Sequence, residues 1–173
     1  MIEIKRVTAE NKEDANIPNQ PFTLWGRMTP SLKDGKWDYT VTEFNETSSM
    51  CFPDFKYDPE ADDAAFFGAY DGDECVGVAV LRRHMFRYLY LDDLKVNEKY
   101  RGRGVGGMLI EACLEKAKAD GMQGVFTVGQ DNNLSAYLFY LHCGFEIGGF
   151  DNRAYRGTAQ EEKGDIYFYC DIV

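Results

Sequence analysis

The sequence contains no long apolar run, since none of its hydrophobic stretches approaches the about 20 residues needed to cross a bilayer. It has only two histidines, and its five cysteines are widely spaced without a C-x-x-C pair, so neither a zinc site nor a disulfide framework is expected. No basic segment followed by an apolar stretch opens the chain, which argues against a secretory signal. We therefore expect a cytoplasmic protein without a bound metal.

Basic residues are also scarce, because 19 Lys and Arg face 29 Asp and Glu and leave a net charge of -10. Such a charge repels the phosphates of nucleic acids and anionic membranes, so neither is an expected partner. It favours a cationic small molecule, although solubility alone explains an acidic chain equally well. At 173 residues with 45% hydrophobic and 28% charged residues, we expect one globular domain spanning residues 1–173.

Proline is absent after residue 59, since all five prolines fall in the first third of the chain. This punctuation predicts strands and short helical pieces joined by loops over residues 1–60, rather than long regular elements. The end of this region overlaps an acidic loop, which is interpreted as a solvated charge run and contains Asp54, Asp58, Glu60, Asp62 and Asp63.

The pattern becomes regular from Phe66 onward. Strands are predicted over 66–70 and 75–81, around the turn signal at 71–74, and a third strand over 88–96. In this third strand the apolar positions are odd up to Leu91 and even from Leu94. Because side chains alternate faces with a period of two, the change of phase at Asp92 and Asp93 predicts a β-bulge, a feature often found beside active sites.

Helical spacing of apolar residues begins at Val105, and Asp120-Gly121 predicts where this helix ends. A short buried strand over 124–128 follows, so the strand, helix and strand in succession predict a right-handed crossover with parallel pairing. A second helix is predicted over 134–142, before Gly144, and a closing strand over 165–173. The fold class is therefore α/β, in the α+β sense.

A glycine-rich segment, residues 101–107, lies between the third strand and the first helix. Free backbone N–H groups at the start of a helix, near its positive dipole end, form an anion site, and glycines allow a diphosphate to approach the backbone. The segment is neither a dinucleotide fingerprint nor a loop ending in G-K-[ST]. A purely structural glycine turn remains the alternative.

The spacing R-x-x-G-x-G at Arg101, Gly104 and Gly106 resembles the pyrophosphate-binding signature of the GNAT superfamily of acetyl-CoA-dependent acetyltransferases. A second block at residues 133–145 resembles that superfamily's N-x-x-A-x-x-F-Y-x-x-x-G-F pattern. The resemblance implies the GNAT fold, a central mixed and mostly antiparallel sheet with a splayed parallel strand pair, flanked by helices. Within the superfamily the chain is most similar to the streptothricin acetyltransferases, through segments 19–22, 87–93, 130–134 and 143–145 together with Trp37 and Tyr39.

The resemblance also implies roles for individual residues around acetyl-CoA, the expected co-substrate. Asn133 is expected to touch the pantetheine arm, with a helix N-cap as an alternative and compatible role. Tyr140 is expected to lie near the thioester sulfur and to act as the general acid, against the alternative of a core tyrosine. The pyrophosphate is expected to bind the motif that starts at Arg101 and the amides of Arg103, Gly104, Gly106 and Gly107, and the pantetheine to pair with the backbone of Leu94 and Val96.

The general base is less directly indicated, because the stretch 127–130 lacks the glutamate that many family members carry there. We therefore expect Asp92 or Asp93, at the suspected bulge, to take the proton through a water or to hold the substrate ammonium. An aromatic wall for a cationic ligand is expected from Trp25, Trp37, Tyr39 and Tyr155, with ordinary core aromatics as the alternative.

Three functions are compatible with these observations. The first is acetylation of a primary amine of a cationic small molecule, with streptothricin as the best single candidate and antibiotic inactivation as the implied role. The second changes the acceptor to a polyamine, an aminoglycoside or a protein amine. The third is a noncatalytic acyl-CoA-binding module. A homodimer is implied by the resemblance alone.

Overall fold

The computed structural model describes residues 1–84 and 86–172. They form nine strands, two α-helices and two short 3-10 helices over Ala9–Asn16 and Glu98–Tyr100. The strands are β1 (Ile2–Arg6), β2 (Phe22–Lys33), β3 (Lys36–Met50), β4 (Ala64–Asp71), β5 (Glu74–Arg82), β6 (Tyr88–Val96), β7 (Gly124–Gln130), β8 (Glu146–Asp151) and β9 (Asp165–Asp171), and the helices are α1 (Val105–Ala119) and α2 (Leu134–His142).

The chain divides into two compact units, and the first comprises residues 1–20, 51–125 and 171–173. In this unit β1, β4, β5 and β6 lie in that order, each antiparallel to the next. Helix α1 packs on β4, β5 and β6. Its buried residues recur at helical spacing and are Val105, Leu109, Ile110, Cys113 and Ala117. Burial of each larger apolar side chain contributes about 1.5–3 kcal/mol, which holds the start of the helix against the sheet.

The second unit comprises residues 21–50 and 126–170. Strand β8 pairs antiparallel with β9, and the buried aromatics of this unit include Phe168 on β9 and Tyr137 on α2, whose rings stack at 5.1 Å. Strand β7 begins in the first unit with Gly124 and Val125, next to β6 in the strand order β1-β4-β5-β6-β7-β9-β8. The fold class is as predicted, a mostly antiparallel sheet with a parallel pair and flanking helices.

The prediction for residues 1–60 was only partly right: β1 and the 3-10 helix over Ala9–Asn16 are short pieces of the expected kind, but the denial of long regular elements was wrong. Strands β2 and β3 are 12 and 15 residues long and form an antiparallel hairpin, with one shift of register between Leu24 and Gly26. Its turn residues, Asp34 and Gly35, have φ angles of 51° and 75°. Two left-handed residues in succession match the twist of a hairpin, and Asp-Gly is a preferred pair for them. Pro30 lies inside β2, which is tolerated because this two-stranded ribbon consists only of edge strands.

Most other predicted elements are confirmed with small changes of length. The third strand and the second helix have the predicted bounds, and α1 ends at Ala119, directly before the predicted stop, whereas β7 extends to Gln130. Strand β8 was missed, because Gly148 and Gly149 interrupt its apolar pattern. The closing strand ends at Asp171, and Val173, to which the prediction extended, lies outside the described residues. Among the described residues, no helix is long and apolar enough to cross a membrane.

Candidate active site

The glycine segment forms an exposed turn that leads into α1. Gly104 is the N-cap residue, with a φ of 81° that a residue carrying a Cβ reaches only at a cost of about 1–2 kcal/mol. The Met108 amide donates to the Gly104 carbonyl at 3.1 Å, as the helix begins. The amides of the preceding residues, Gly106 and Gly107 among them, have no acceptor within the helix. This arrangement agrees with the predicted anion site, because free amides at a helix start are the groups that bind anions.

The outer side of this turn is open. Within the described part of the chain, a Cβ at Gly102, Gly104 or Gly107 would have no heavy atom within 4 Å, apart from its chain neighbours and the nearby backbone of its own helix. Packing within the chain thus does not require glycine at these positions. Space beside exposed amides is what a diphosphate needs in order to approach the backbone closely.

Arg101 and Arg103 have different surroundings. The Nε of Arg101 donates to the carbonyl of Val96 at 3.0 Å, which fastens the turn to the end of β6. The guanidinium of Arg103 lies over the ring of Tyr100, at 5.5 Å from its centroid, and both arginines are exposed. In this structure Arg101 orients the turn through its side chain, while Arg103 places a positive charge beside it.

The backbone of Leu94 and Val96 points away from β5. The Asn97 amide donates to the Val76 carbonyl at 2.8 Å, so these two residues form a hydrogen-bonded pair. In an antiparallel ladder such pairs alternate with pairs whose N–H and C=O groups face outward. Val96 opposite Gly77 and Leu94 opposite Ala79 are therefore outward-facing pairs. This orientation suits the predicted pairing of both residues with an extended ligand.

The predicted bulge is present in β6. Val80 pairs with Asp93 and Leu81 with Leu91, so Asp92 is the extra residue. The two neighbouring carboxylates consequently meet different partners. Asp92 Oδ2 accepts from Arg82 Nε at 2.7 Å, and Asp93 Oδ2 lies 3.3 Å from Lys95 Nζ.

Asp93 occupies the more enclosed of the two positions. Burial raises the pKa of its carboxyl above the ordinary value, and the nearby Asp92 charge adds to this. Lys95 and the hydroxyl of Tyr57, which donates to Asp93 Oδ2 at 3.3 Å, act in the opposite direction on the pKa. A carboxylate with a raised pKa that keeps a cation beside it has the character expected of a general base.

In the second unit, helix α2 carries the two other predicted residues. Asn133 occupies the N-cap position of α2, but its side chain makes no capping hydrogen bond. Tyr140 is half-buried on the last turns of the helix, with its ring 5.3 Å from Phe145 and 5.9 Å from Phe168. The rings fix the direction of the Tyr140 side chain, as a positioned acid requires.

A carboxylate does follow β7, one residue beyond the stretch that lacks the family's glutamate. Asp131 is 5% exposed, and its Oδ2 accepts from the Gly164 amide at 3.2 Å. Its Oδ1 lies 3.4 Å from Arg27 Nε, although the angle does not allow a hydrogen bond. Burial raises the pKa of Asp131 despite the nearby Arg27. With both oxygens facing protein groups, Asp131 ties the loop before β9 to β7 and β2.

The predicted aromatic residues are only partly brought together. Trp37 and Tyr39 lie two residues apart on one face of β3, near the hairpin tip, opposite Leu32 and Pro30. Tyr155 lies in a turn instead, where its hydroxyl donates to Asp165 at 2.7 Å. Trp37 is half-buried and Tyr39 is 37% exposed, so neither is a core residue of the described structure.

Comparison of the chain with known proteins identifies its family. Residues 30–145, more than half of the chain, match the sequence profile of the Acetyltransferase (GNAT) family. The chain belongs to the GNAT family. The predicted resemblance is thereby confirmed, and this GNAT enzyme is an acetyl-CoA-dependent N-acetyltransferase with acetyl-CoA as its co-substrate.

Individual relatives are similar over nearly their whole length. The GNAT chain is 32% identical over 169 residues to streptothricin acetyltransferase A of Bacillus subtilis (strain 168), covering 96% of this chain and 98% of the relative. It is 30% identical to a streptothricin acetyltransferase of Escherichia coli, covering 90% of this chain and 80% of the relative. A crystal structure of a protein assigned as a streptothricin acetyltransferase of Bacillus anthracis str. Ames, in complex with acetyl coenzyme A, superposes with a TM-score of 0.91 at 27% identity, covering 99% and 100% of the two chains.

The residues of this GNAT chain fit acetyl-CoA by their own chemistry. The turn before α1 offers amides without helical acceptors and an open outer side for the diphosphate. The outward backbone groups of Leu94 and Val96 suit the amides of the pantetheine arm. Asn133 keeps an amide side chain that the helix does not use.

Tyr57, Lys95 and Arg82, which surround the two bulge carboxylates, were missed by the sequence analysis. The position of Lys95 could have been predicted, because it lies two residues from Asp93 and hence on the same face of β6. Tyr57 lies 36 residues from Asp93 along the chain, within the segment interpreted as a solvated acidic loop. No local pattern connects the two residues.

Proposed function

We propose that this enzyme acetylates a primary amine of a cationic small molecule, with streptothricin, through its β-lysine amine, as the substrate. One observation carries the proposal, the similarity to streptothricin acetyltransferase A over 96% of this chain and 98% of that relative. The net charge of -10 agrees with a cationic acceptor. The role of the reaction is inactivation of the antibiotic.

Acetyl-CoA supplies an acetyl group activated as a thioester. For its binding we propose the amides of Arg103, Gly104, Gly106 and Gly107 on the diphosphate, with Arg101 holding the turn. The backbone of Leu94 and Val96 pairs with the pantetheine arm, and Asn133 touches the same arm. What supports these assignments is the open turn, the outward backbone of β6 and the uncapped side chain of Asn133.

Asp93 is proposed as the general base and Tyr140 as the general acid. Asp93 takes one proton from the substrate ammonium, directly or through a water, which frees the nitrogen lone pair for attack on the acetyl carbonyl carbon. As the C–N bond forms and the C–S bond breaks, the Tyr140 hydroxyl gives its proton to the departing sulfur. The attacking nitrogen then gives up its second proton, through water, to the Tyr140 oxygen, and Asp93 releases its own proton to solvent. The acetyl group passes directly to the amine, and general acid–base assistance of this kind contributes about 10²–10⁴-fold.

Asp92 supports the base by a different route. Its bond to Arg82 keeps it occupied, so we propose that Asp92 shapes the bulge rather than accepting the proton. Trp37, Tyr39 and Tyr155 are proposed to contact the cationic acceptor. The exposed ring of Tyr39 and the half-buried ring of Trp37 support this for the hairpin pair.

The decisive experiment measures thiol release from acetyl-CoA in the presence of streptothricin, spermidine or lysine peptides. The proposal predicts a kcat/KM for streptothricin that exceeds the others by at least about 10²-fold, since a site built for one acceptor discriminates by several contacts. Preference for spermidine or for the peptides would replace the acceptor and keep the chemistry. If the protein binds acetyl-CoA but releases no thiol with any of the three acceptors, the result would indicate a noncatalytic module.

We also propose the domain organisation, the location and the oligomeric state. The family match runs through both compact units, which supports a single acetyltransferase domain over residues 1–173. A cytoplasmic location agrees with the use of acetyl-CoA, a cytoplasmic metabolite. A homodimer follows from the family resemblance, and light scattering during size-exclusion chromatography tests it.

A further inference from the structure

We propose that Tyr57 is a positioning residue for acetyl transfer, which together with Lys95 holds Asp93 by one carboxylate oxygen and leaves the other oxygen to take the proton. The inference rests on the proposed role of Asp93 as the base. It assigns a function to the segment between β3 and β4, which the sequence pattern alone describes as an acidic loop.

The contacts of Asp93 are one-sided. The Tyr57 hydroxyl and the Lys95 ammonium both contact Oδ2, each at 3.3 Å. Among the residues that the structure describes, no donor is recorded on Oδ1. A carboxylate anchored through one oxygen keeps a defined orientation, and its second oxygen retains its lone pairs for a proton.

Tyr57 is itself held from three directions. Its amide donates to Asn16 Oδ1 at 2.7 Å, and its carbonyl accepts from Asn16 Nδ2 at 3.1 Å. Its ring meets Phe66 edge-on, at a centroid distance of 5.9 Å. The side-chain amide of Asn16 thus bonds to Tyr57 as a neighbouring strand would, and it fixes the backbone of the residue whose hydroxyl donates to Asp93.

Two cations, from two different strands, lie near the ring of Tyr57. From β6, Lys95 lies 5.9 Å from the Tyr57 ring centroid, and from β5 the Arg82 guanidinium lies at 5.9 Å as well. Arg82 is paired with Asp92 at 2.7 Å and with Asp63 at 3.2 Å, so its charge is largely compensated. Lys95, with a side chain 11% exposed, is consequently the cation that faces Asp93.

The groups around Asp93 act on its pKa in opposite directions. Burial and the Asp92 charge raise its pKa, whereas Lys95 and the Tyr57 hydrogen bond lower it. Removing either of the latter two raises the pKa. Because the base works only when deprotonated, the acid limb of kcat/KM then moves to higher pH. A merely structural tie between the loop and β6 would lower stability and leave this limb in place.

The test compares Tyr57→Phe, Lys95→Met and Lys95→Arg with the wild type and with Tyr88→Phe. Tyr88→Phe is a matched control, because the Tyr88 hydroxyl also donates to a carboxylate, that of Asp171, at 2.6 Å. Tyr88 also lies on β6, the strand that carries Asp93. Two quantities are measured, the pH profile of kcat/KM and the pKa of Asp93 from ¹³C NMR of labelled aspartate, assigned with Asp93→Asn. The NMR titration needs no turnover.

Tyr57→Phe is expected to move the acid limb and the Asp93 pKa upward, with about a three- to tenfold lower kcat/KM on the acid side. The KM for acetyl-CoA stays unchanged. Lys95→Met moves the limb further, Lys95→Arg restores it, and Tyr88→Phe has no effect. If Tyr57→Phe leaves both the acid limb and the Asp93 pKa at their wild-type values, the inference is overturned, whatever Lys95→Met does. Absence of wild-type turnover with streptothricin would instead refute the proposed substrate, and the NMR titration would still decide about Tyr57.

Discussion

Two glycines of one turn allow a direct test of how the enzyme binds acetyl-CoA. Gly102 and Gly104 have φ angles of 72° and 81°, and a Cβ on either meets no heavy atom within 4 Å among the described residues compared. Alanine at either position therefore carries the same backbone cost of about 1–2 kcal/mol. Only Gly104 is the N-cap of α1, adjacent to the amides assigned to the diphosphate.

The expected outcomes follow from this difference. For a chain of this length each kcal/mol lowers the melting temperature by about 2–4 °C, so both variants should melt about 2–8 °C below the wild type without ligand. Gly104→Ala should also lose one or two hydrogen bonds to a charged group, at about 1.5–3 kcal/mol each. This corresponds to about a 10- to 100-fold higher Kd for acetyl-CoA, or more. Gly102→Ala should bind acetyl-CoA nearly as the wild type does.

Thermal unfolding by circular dichroism gives the first quantity, and isothermal titration calorimetry with acetyl-CoA gives the second. Equal Kd values for the two variants would refute the reasoning, because position within the turn would then not matter. A Gly104→Ala variant that is destabilised as expected but binds normally would show that the diphosphate does not use the start of α1.

Three further predictions concern the chemistry and the acceptor. Tyr140→Phe should fold normally and lower kcat by about 10²-fold or more, since only the proton donor is lost; stopped-flow or steady-state thiol release measures it, and an unchanged rate contradicts the assignment. Asp93→Asn should lower kcat by about 10²–10⁴-fold at every pH. Asp92→Asn should mainly lower the melting temperature, because it weakens the contact with Arg82. Similar losses of kcat in both variants would contradict these separate roles and indicate a general disturbance of the bulge. Trp37→Ala should raise the KM for streptothricin and leave that for acetyl-CoA unchanged, and parallel changes in both constants would remove this residue from the acceptor site.

The elements that local rules define could be predicted from the sequence. The turn before α1 was identified because glycine spacing and a helix start are both local, and the bulge at Asp92 because a change of phase in alternation is visible within nine residues. The N-cap position of Asn133 and the stop after α1 follow from the same short-range rules.

The β2–β3 hairpin marks where the weighing of signals failed. Asp34-Gly35 is a strong hairpin turn, whereas the five prolines in the same region favour irregular structure. Prolines disrupt a strand only where the partner strand needs their missing N–H group, and an edge strand has no such need on one side. Whether β2 is an edge strand depends on the whole fold and could not be known beforehand.

The surroundings of the proposed base were decided by tertiary structure alone. Tyr57 reaches Asp93 across 36 residues, and Asn16 holds Tyr57 across 41. Asp131, one position past the missing glutamate, became a buried structural tie through Arg27 and Gly164. Periodicity and turn chemistry act over a few residues and leave a readable pattern, whereas the pKa of a carboxyl depends on burial and on charges brought near it by distant segments. The sequence thus determined the glycine turn for which acetyl-CoA binding is proposed, and only the packed chain decided the surroundings of the carboxylate proposed as the base.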